Sequence, residues 1–116
     1  MKIYYGKAIY NKKEINASLS VLKSKSLTLI DGPLVKKLEQ QISKLFGKKY
    51  GLMVNSGSSA NLLALASLNL KKGDEVITPT LTFSTTVAPI YQLGLTPHFI
   101  DVERSSFVAR IDQIKK

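Results

Sequence analysis

LMVNSGSSANLLALASL, residues 52–68, decides how the chain reads. Its opening residues, with Tyr50 and Gly51, form a short apolar run bounded by Asn55, which predicts a strand. Ser56, Gly57 and Ser58 then interrupt, and a leucine- and alanine-rich run follows that predicts a helix over "SSANLLALASLNL". That helix is apolar on nearly every side, so it is expected to lie buried between layers. Beyond the "KKGD" turn the pattern repeats. "EVITPT" reads as a second strand and "FSTTVAPIYQLG" as a second helical segment, with Pro89 expected to kink it or end its first part. "LTPHFIDVE" reads as a third strand after the "GLTP" turn. Strand, helix, strand, helix, strand argues for parallel pairing with helical crossovers. The expected class is α/β, three-layered, with a mostly parallel sheet.

Upstream, "NKKEINASLSVLKSK" has Ile15, Leu19 and Leu22 at helical spacing, with Asn11 placed to cap the start. "SLTLIDG" reads as an extended loop or short strand. "GPLVKKLEQQISKLFGKKY" is the clearest helix. Pro33 suits the first helical position, where its missing N–H costs nothing. Leu34, Leu38, Ile42 and Leu45 make one stripe, with Val35 and Phe46 beside it, and Gly47 supplies the stop. "ARIDQIKK" reads as the first turns of a further helix, within which the chain is expected to be cut off. The expected division is an amino-terminal helix and extended lead-in over 1–32, and a larger unit over 33–116 that is incomplete at its carboxyl end. No internal repeat or low-complexity linker interrupts it.

Hydrophobic residues make up 44% of the 116 residues, which suits a folded domain. No apolar run approaches the roughly 18 residues needed to span a bilayer. The amino terminus lacks the apolar middle of a secretory signal, so the expected location is cytoplasmic. No cysteine is present, which removes disulfides, thiolate metal sites and a cysteine nucleophile from these residues. No metal site is expected. The net charge is +9, carried mainly by lysine. The lysines fall in scattered pairs without interleaved aromatics or arginines, which argues against nucleic-acid readout and for a solvated surface. They could still draw in an anionic substrate.

Two features carry chemistry. In "VNSGSSAN" a strand end meets a helix start. The first N–H groups of a helix lack internal partners, and the helix dipole places partial positive charge there. Gly57 allows close approach, and Ser58 and Ser59 add hydroxyls. The turn is therefore an anion site suited to phosphate, or simply a serine helix cap. It is neither the Walker pattern nor the dinucleotide fingerprint. In "TPTLTFSTT", Phe83 stands among Thr80, Thr82, Ser84, Thr85 and Thr86. It could offer a flat surface to a cofactor ring, or be ordinary packing at a helix start.

The blocks "NSGSSANLLALASL", "KKGDEVITPTLTFSTTVAPI" and "GLTPHFIDVE" lie in order and at short spacing. Together with "LTLIDGPLVKKLEQQISKLFGKKYGLMVNSGS" they resemble the amino-terminal part of the DegT/DnrJ/EryC1/StrS family, over nearly the whole chain from about Lys7. Those are pyridoxal-phosphate enzymes that aminate keto-sugars attached to nucleotides, in amino-sugar and cell-surface polysaccharide biosynthesis. The resemblance implies the aspartate-aminotransferase-like (fold type I) large domain. It implies that Gly57, Ser58 and Ser59 grip the cofactor phosphate, largely through backbone N–H, and that Phe83 stacks on the pyridine ring. Asp101 matches a strand-end acidic position with a structural role, and His98 falls where the family often has an apolar residue.

The family's reaction also needs a lysine that condenses with the cofactor aldehyde and a carboxylate that holds the pyridine nitrogen protonated. Both lie downstream of the matched blocks in the family, so no catalytic residue is assigned here. The resemblance thus implies roughly the first third of a family member, inactive and poorly stable alone. The complete protein is expected to take a nucleotide-sugar and an amino donor and to work as a homodimer. One branch of the family uses pyridoxamine phosphate, has histidine in place of the lysine, and removes the sugar 3-hydroxyl. The short connection between "LASL" and "KKGDEVI" favours the aminotransferases over that branch. A reading from another class is a non-catalytic basic α/β binding module with "SGSS" as a cap.

Overall fold

The computed structural model describes residues 3–24 and 29–114. Contacts divide the chain into two compact units, Met1–Met53 and Val54–Lys116. That division groups the second helix with the amino-terminal residues, whereas the sequence reading divides the chain at 32/33. Part of the "SLTLIDG" loop lies outside the described residues, as do the last two residues of "ARIDQIKK".

In the first unit, α1 (Lys12–Lys23) opens on the expected cap. The Asn11 side-chain oxygen accepts from the Lys13 N–H at 2.8 Å, and the Glu14 carboxylate accepts from the Asn11 N–H at 2.7 Å. This reciprocal pair satisfies two donors that the helix itself cannot. Helix α2 (Pro33–Leu45) starts with Pro33 after a Gly32 cap. It ends where Gly47 turns left-handed at φ 62° and donates to the Lys44 carbonyl. The stripe of Leu34, Leu38, Ile42 and Leu45 forms as expected, yet all four side chains are exposed, as are Ile15, Leu19 and Leu22 of α1.

The strand expected over 50–55 does not form; the described residues there belong to no ladder. A strand exists by pairing, and among the described residues no other strand lies alongside these. The Met53 N–H donates to a Glu39 side-chain oxygen at 2.7 Å. Gly51 passes so close to α2 that a Cβ there would meet the Glu39 backbone oxygen at 2.8 Å. Gly51→Ala should therefore lift the segment off α2. Overpacking against backbone costs roughly 1–3 kcal/mol, so the expected result is faster hydrogen exchange at the Met53 amide. Unchanged exchange there would show that the segment is not held by this contact.

The second unit begins with α3 (Gly57–Ala66), then β1 (Glu75–Pro79), α4 (Ser84–Gln92), β2 (Thr96–Ile100) and the short α5 (Ile111–Ile114). Strands β1 and β2 pair in parallel, in register from Glu75 opposite Thr96 to Pro79 opposite Ile100. Helix α4 is the crossover and packs on both strands, while α3 packs on α4. The turn into β1 is closed by the Asp74 carboxylate, which accepts from the Lys71 N–H at 2.8 Å. Left-handed Gly94 makes the turn into β2.

Two expectations about these helices are corrected. Helix α3 has no buried residue, and Leu63 is 48% exposed. An all-apolar helix is buried only when neighbours cover every side, and in this unit α4 is its principal partner. Pro89 neither ends nor divides α4, which runs through it to Gln92. A proline inside a helix strands the carbonyl four residues earlier. That carbonyl, on Thr85, is served from another helix, for Asn61 Nδ2 donates to it at 3.3 Å.

Among the described residues, the buried apolar side chains are Pro89, Ile90, Leu95 and Ile100. They join α4, its exit turn and the end of β2 into one small core. Thr78 on β1 is also buried, and its hydroxyl has no partner. It lines an open, mainly apolar groove of about 430 Å³ with Leu65, Leu68, Val76, Thr86 and Ile90.

Candidate functional site

The turn before α3 is built by Ser56. Its backbone is extended, at φ −159° and ψ 158°, and its hydroxyl accepts from the Ser59 N–H at 3.2 Å. The same hydroxyl donates to Ser59 Oγ at 3.2 Å. The cap thus consumes the Ser59 N–H and leaves the Ser59 hydroxyl its own proton to offer. The N–H groups of Gly57 and Ser58 donate to no protein atom among the described residues. These are two of the four orphan donors that every helix start leaves.

Gly57 needs to be glycine for neither of the usual local reasons. Its φ is not left-handed, and a Cβ added there would meet nothing within 4 Å. A side chain there would stand in open space beside the two unpaired donors at the helix start. Residues 54–70 carry no charged side chain, so no carboxylate opposes an anion there. The turn fits a phosphate: free N–H groups, the positive end of a helix, and hydroxyls on Ser58 and Ser59.

Phe83 occupies the cap position of α4 with φ −76° and ψ 144°. Its carbonyl accepts from the Thr86 N–H at 2.9 Å, while its ring is 66% exposed. Many other large apolar side chains of the described residues are equally exposed, so the exposure of Phe83 fits both a surface offered to a flat ligand and packing against parts that these residues do not supply. The Asn61 to Thr85 bond spans from the second turn of α3 to the residue two places after Phe83. It ties the turn-bearing helix to the ring-bearing one.

Ser56 and Asn61 are the contributions that the sequence reading missed. A serine three residues before a second serine signals the first. Pro89, which removes a helix donor, is the only signal for the second. His98 on β2 is exposed, with Nδ1 3.9 Å from the Glu75 carboxylate, and takes no part in this site. Asp101 sits just past β2, where its carboxylate accepts from the Val102 N–H at 2.8 Å and its own N–H donates to the Gln113 side chain at 2.7 Å. The first bond is local; the second ties the end of β2 to α5. No cluster of three or more metal-ligating side chains occurs among the described residues, and no helix of them is long and apolar enough to cross a membrane.

Comparison with known proteins places these residues in context. The family model for the DegT/DnrJ/EryC1/StrS aminotransferase family matches residues 8–116. The GDP-4-keto-6-deoxy-D-mannose 3-dehydratase of Escherichia coli O55:H7 is 44% identical over 109 residues, spanning 89% of this chain and 28% of its own. The solved structure of E. coli GDP-4-keto-6-deoxy-D-mannose-3-dehydratase with bound hydrated pyridoxal phosphate superposes with a TM-score of 0.84 at 42% identity, over 94% of this chain and 29% of that one. The pyridoxal-phosphate form of the putative sugar aminotransferase Spr1654 from Streptococcus pneumoniae gives 0.86 at 27% identity, over 99% and 29%. The chain spans less than a third of the length of each of these relatives. Its fold is the amino-terminal part of the fold type I large domain that the sequence led us to expect.

Proposed function

Since the chain belongs to the DegT/DnrJ/EryC1/StrS aminotransferase family, we propose that it is the amino-terminal part of a pyridoxal-phosphate-dependent enzyme acting on a nucleotide-linked keto-sugar. The observation that carries this reading is the pair of unpaired N–H groups on Gly57 and Ser58, at a glycine with open space where a side chain would stand, in a chain of this family. They hold the cofactor phosphate, helped by the Ser58 and Ser59 hydroxyls. Phe83 covers one face of the ring and fixes its tilt. The cofactor, as pyridoxal or pyridoxamine phosphate, supplies an electron sink that the side chains themselves lack. The lysine or histidine that works beside the ring, and the carboxylate on its nitrogen, have no matching context in these 116 residues. Activity accordingly requires a longer chain, in which a homodimer and an amino donor are further parts of the proposal.

Within the family, the 3-dehydratase reading now has the stronger support. The lean towards aminotransferases rested on one short turn. Identities of 44% and 42% to GDP-4-keto-6-deoxymannose 3-dehydratases, against 27% to the sugar aminotransferase, outweigh it. Amino transfer stays as the second reading because that aminotransferase matches 99% of the chain at a TM-score of 0.86. Incubation of the full-length protein with a nucleotide-linked 4-keto-sugar and an amino donor separates them. Loss of the 3-hydroxyl marks the dehydratase; an amino group at the keto position marks the transferase.

Phe83→Ala in that full-length protein tests the site itself. Stacking is worth about 0.5–1.5 kcal/mol beyond area burial, so pyridoxal phosphate should bind up to about tenfold more weakly. The exposed ring contributes little packing, so apoprotein stability should hold. Loss of folding without loss of affinity in the folded fraction would favour core packing and the binding-module reading.

A further inference from the structure

Asn61 ties the two halves of the proposed cofactor site together, through a carbonyl that Pro89 has set free. Within α4 the N–H of residue 89 would ordinarily donate to the carbonyl of Thr85, but proline has none. Asn61 Nδ2 serves this carbonyl instead, at 3.3 Å on the exposed side of the contact between α3 and α4. Pro89 itself is buried, so the ring is a fixed part of the core. The donor comes from the second turn of α3, whose first turn carries Gly57 and Ser58. The acceptor lies two residues beyond Phe83.

We propose that Asn61 is a positioning residue that sets the Phe83 ring over the phosphate turn. It touches neither phosphate nor ring; it acts by fixing the start of α4 against α3. This rests on the cofactor reading above, and it adds a residue and a cause to it. Pro89 and Asn61 work as a pair: the proline removes the internal partner of Thr85, so the carbonyl is reserved for the neighbouring helix.

The pairing gives an internal control. In Pro89→Ala the residue 89 N–H can donate to Thr85 along α4, and Asn61 becomes dispensable. In the full-length protein, with pyridoxal phosphate and inorganic phosphate as probes, Asn61→Ala should weaken pyridoxal phosphate by about three- to tenfold, the weight of one hydrogen bond. It should also reduce the induced circular dichroism of the bound ring. Inorganic phosphate affinity should change less than about twofold, because the turn's donors belong to α3 alone. In the Pro89→Ala background the Asn61→Ala loss should shrink to under about twofold.

Equal losses in both backgrounds overturn the proposal, as does a parallel fall for both probes. If Asn61→Ala alone does not fold, folding and binding by the double variant support the pairing, and failure of both variants to fold refutes it. A wild-type protein that binds neither probe removes the cofactor reading, and the positioning role falls with it. A wild-type protein that binds both probes, with an Asn61→Ala variant indistinguishable from it, removes this inference alone.

Discussion

Gly57→Asp should abolish cofactor binding while leaving the helix it starts as stable as before, or more so. The backbone there is not left-handed and a Cβ meets nothing within 4 Å, so the fold does not resist a side chain. A carboxylate in the first helical turn is stabilising by about 0.3–1 kcal/mol through the helix dipole. The same carboxylate stands where a phosphate would sit. Two unit charges about 4 Å apart repel by roughly 4 kcal/mol at an effective dielectric of 20, and a phosphate brings more than one. Pyridoxal-phosphate affinity of the full-length protein should therefore drop at least about 100-fold, with the apoprotein melting temperature unchanged or raised. Opposite signs for stability and binding separate a ligand site from a helix cap. Affinity equal to wild type in the aspartate variant would remove the phosphate cradle from consideration.

Purified as residues 1–116 alone, the chain should show no cooperative thermal transition and should bind a hydrophobic dye strongly. Among the described residues the buried apolar side chains are Pro89, Ile90, Leu95 and Ile100. One two-stranded sheet with a crossover helix is marginal in water. The leucines of α2, Leu63 of α3 and the isoleucine and leucines of α1 all have substantial exposed surface. Those faces are formed and unused, as expected of a piece whose relatives are more than three times longer. A sharp calorimetric transition from the 116-residue chain would show that this small core suffices.

What the sequence made legible was local. The Asn11 cap, Pro33 at the start of α2, Gly47 at its end and the β1–α4–β2 crossover each follow from a residue and its immediate neighbours. The misreadings concern partners. Residues 50–55 carry a good strand pattern, but pattern gives a face and not a partner, and the Met53 N–H went to Glu39 instead. Helix α3 was read as buried because its composition demands cover, and composition cannot say that the cover is present. Pro89 was expected to kink α4 or end its first part; the helix does not end there, and the donor that Pro89 lacks is replaced from α3, a tertiary repair that the helix's own sequence does not locate. Of the candidate site, Gly57 and Ser58 could be found from their turn. Phe83 stood out as an aromatic among hydroxyl residues, and its exposure is shared with the leucines of α2.

The parallel pairing of β1 and β2 has a consequence for the order in which the protein comes into being. Every rung of that ladder joins residues about twenty positions apart. The ladder can pair only once β2 has left the ribosome, with α4 as its crossover and Ile90 and Ile100 in its small core. Residues 50–55 emerge earlier and have no rung to join among the residues described. In the translating chain this small core should flicker rather than lock, as in residues 1–116 alone, and further cover is needed to hold α4 and the turn before α3 together through the Asn61 bond.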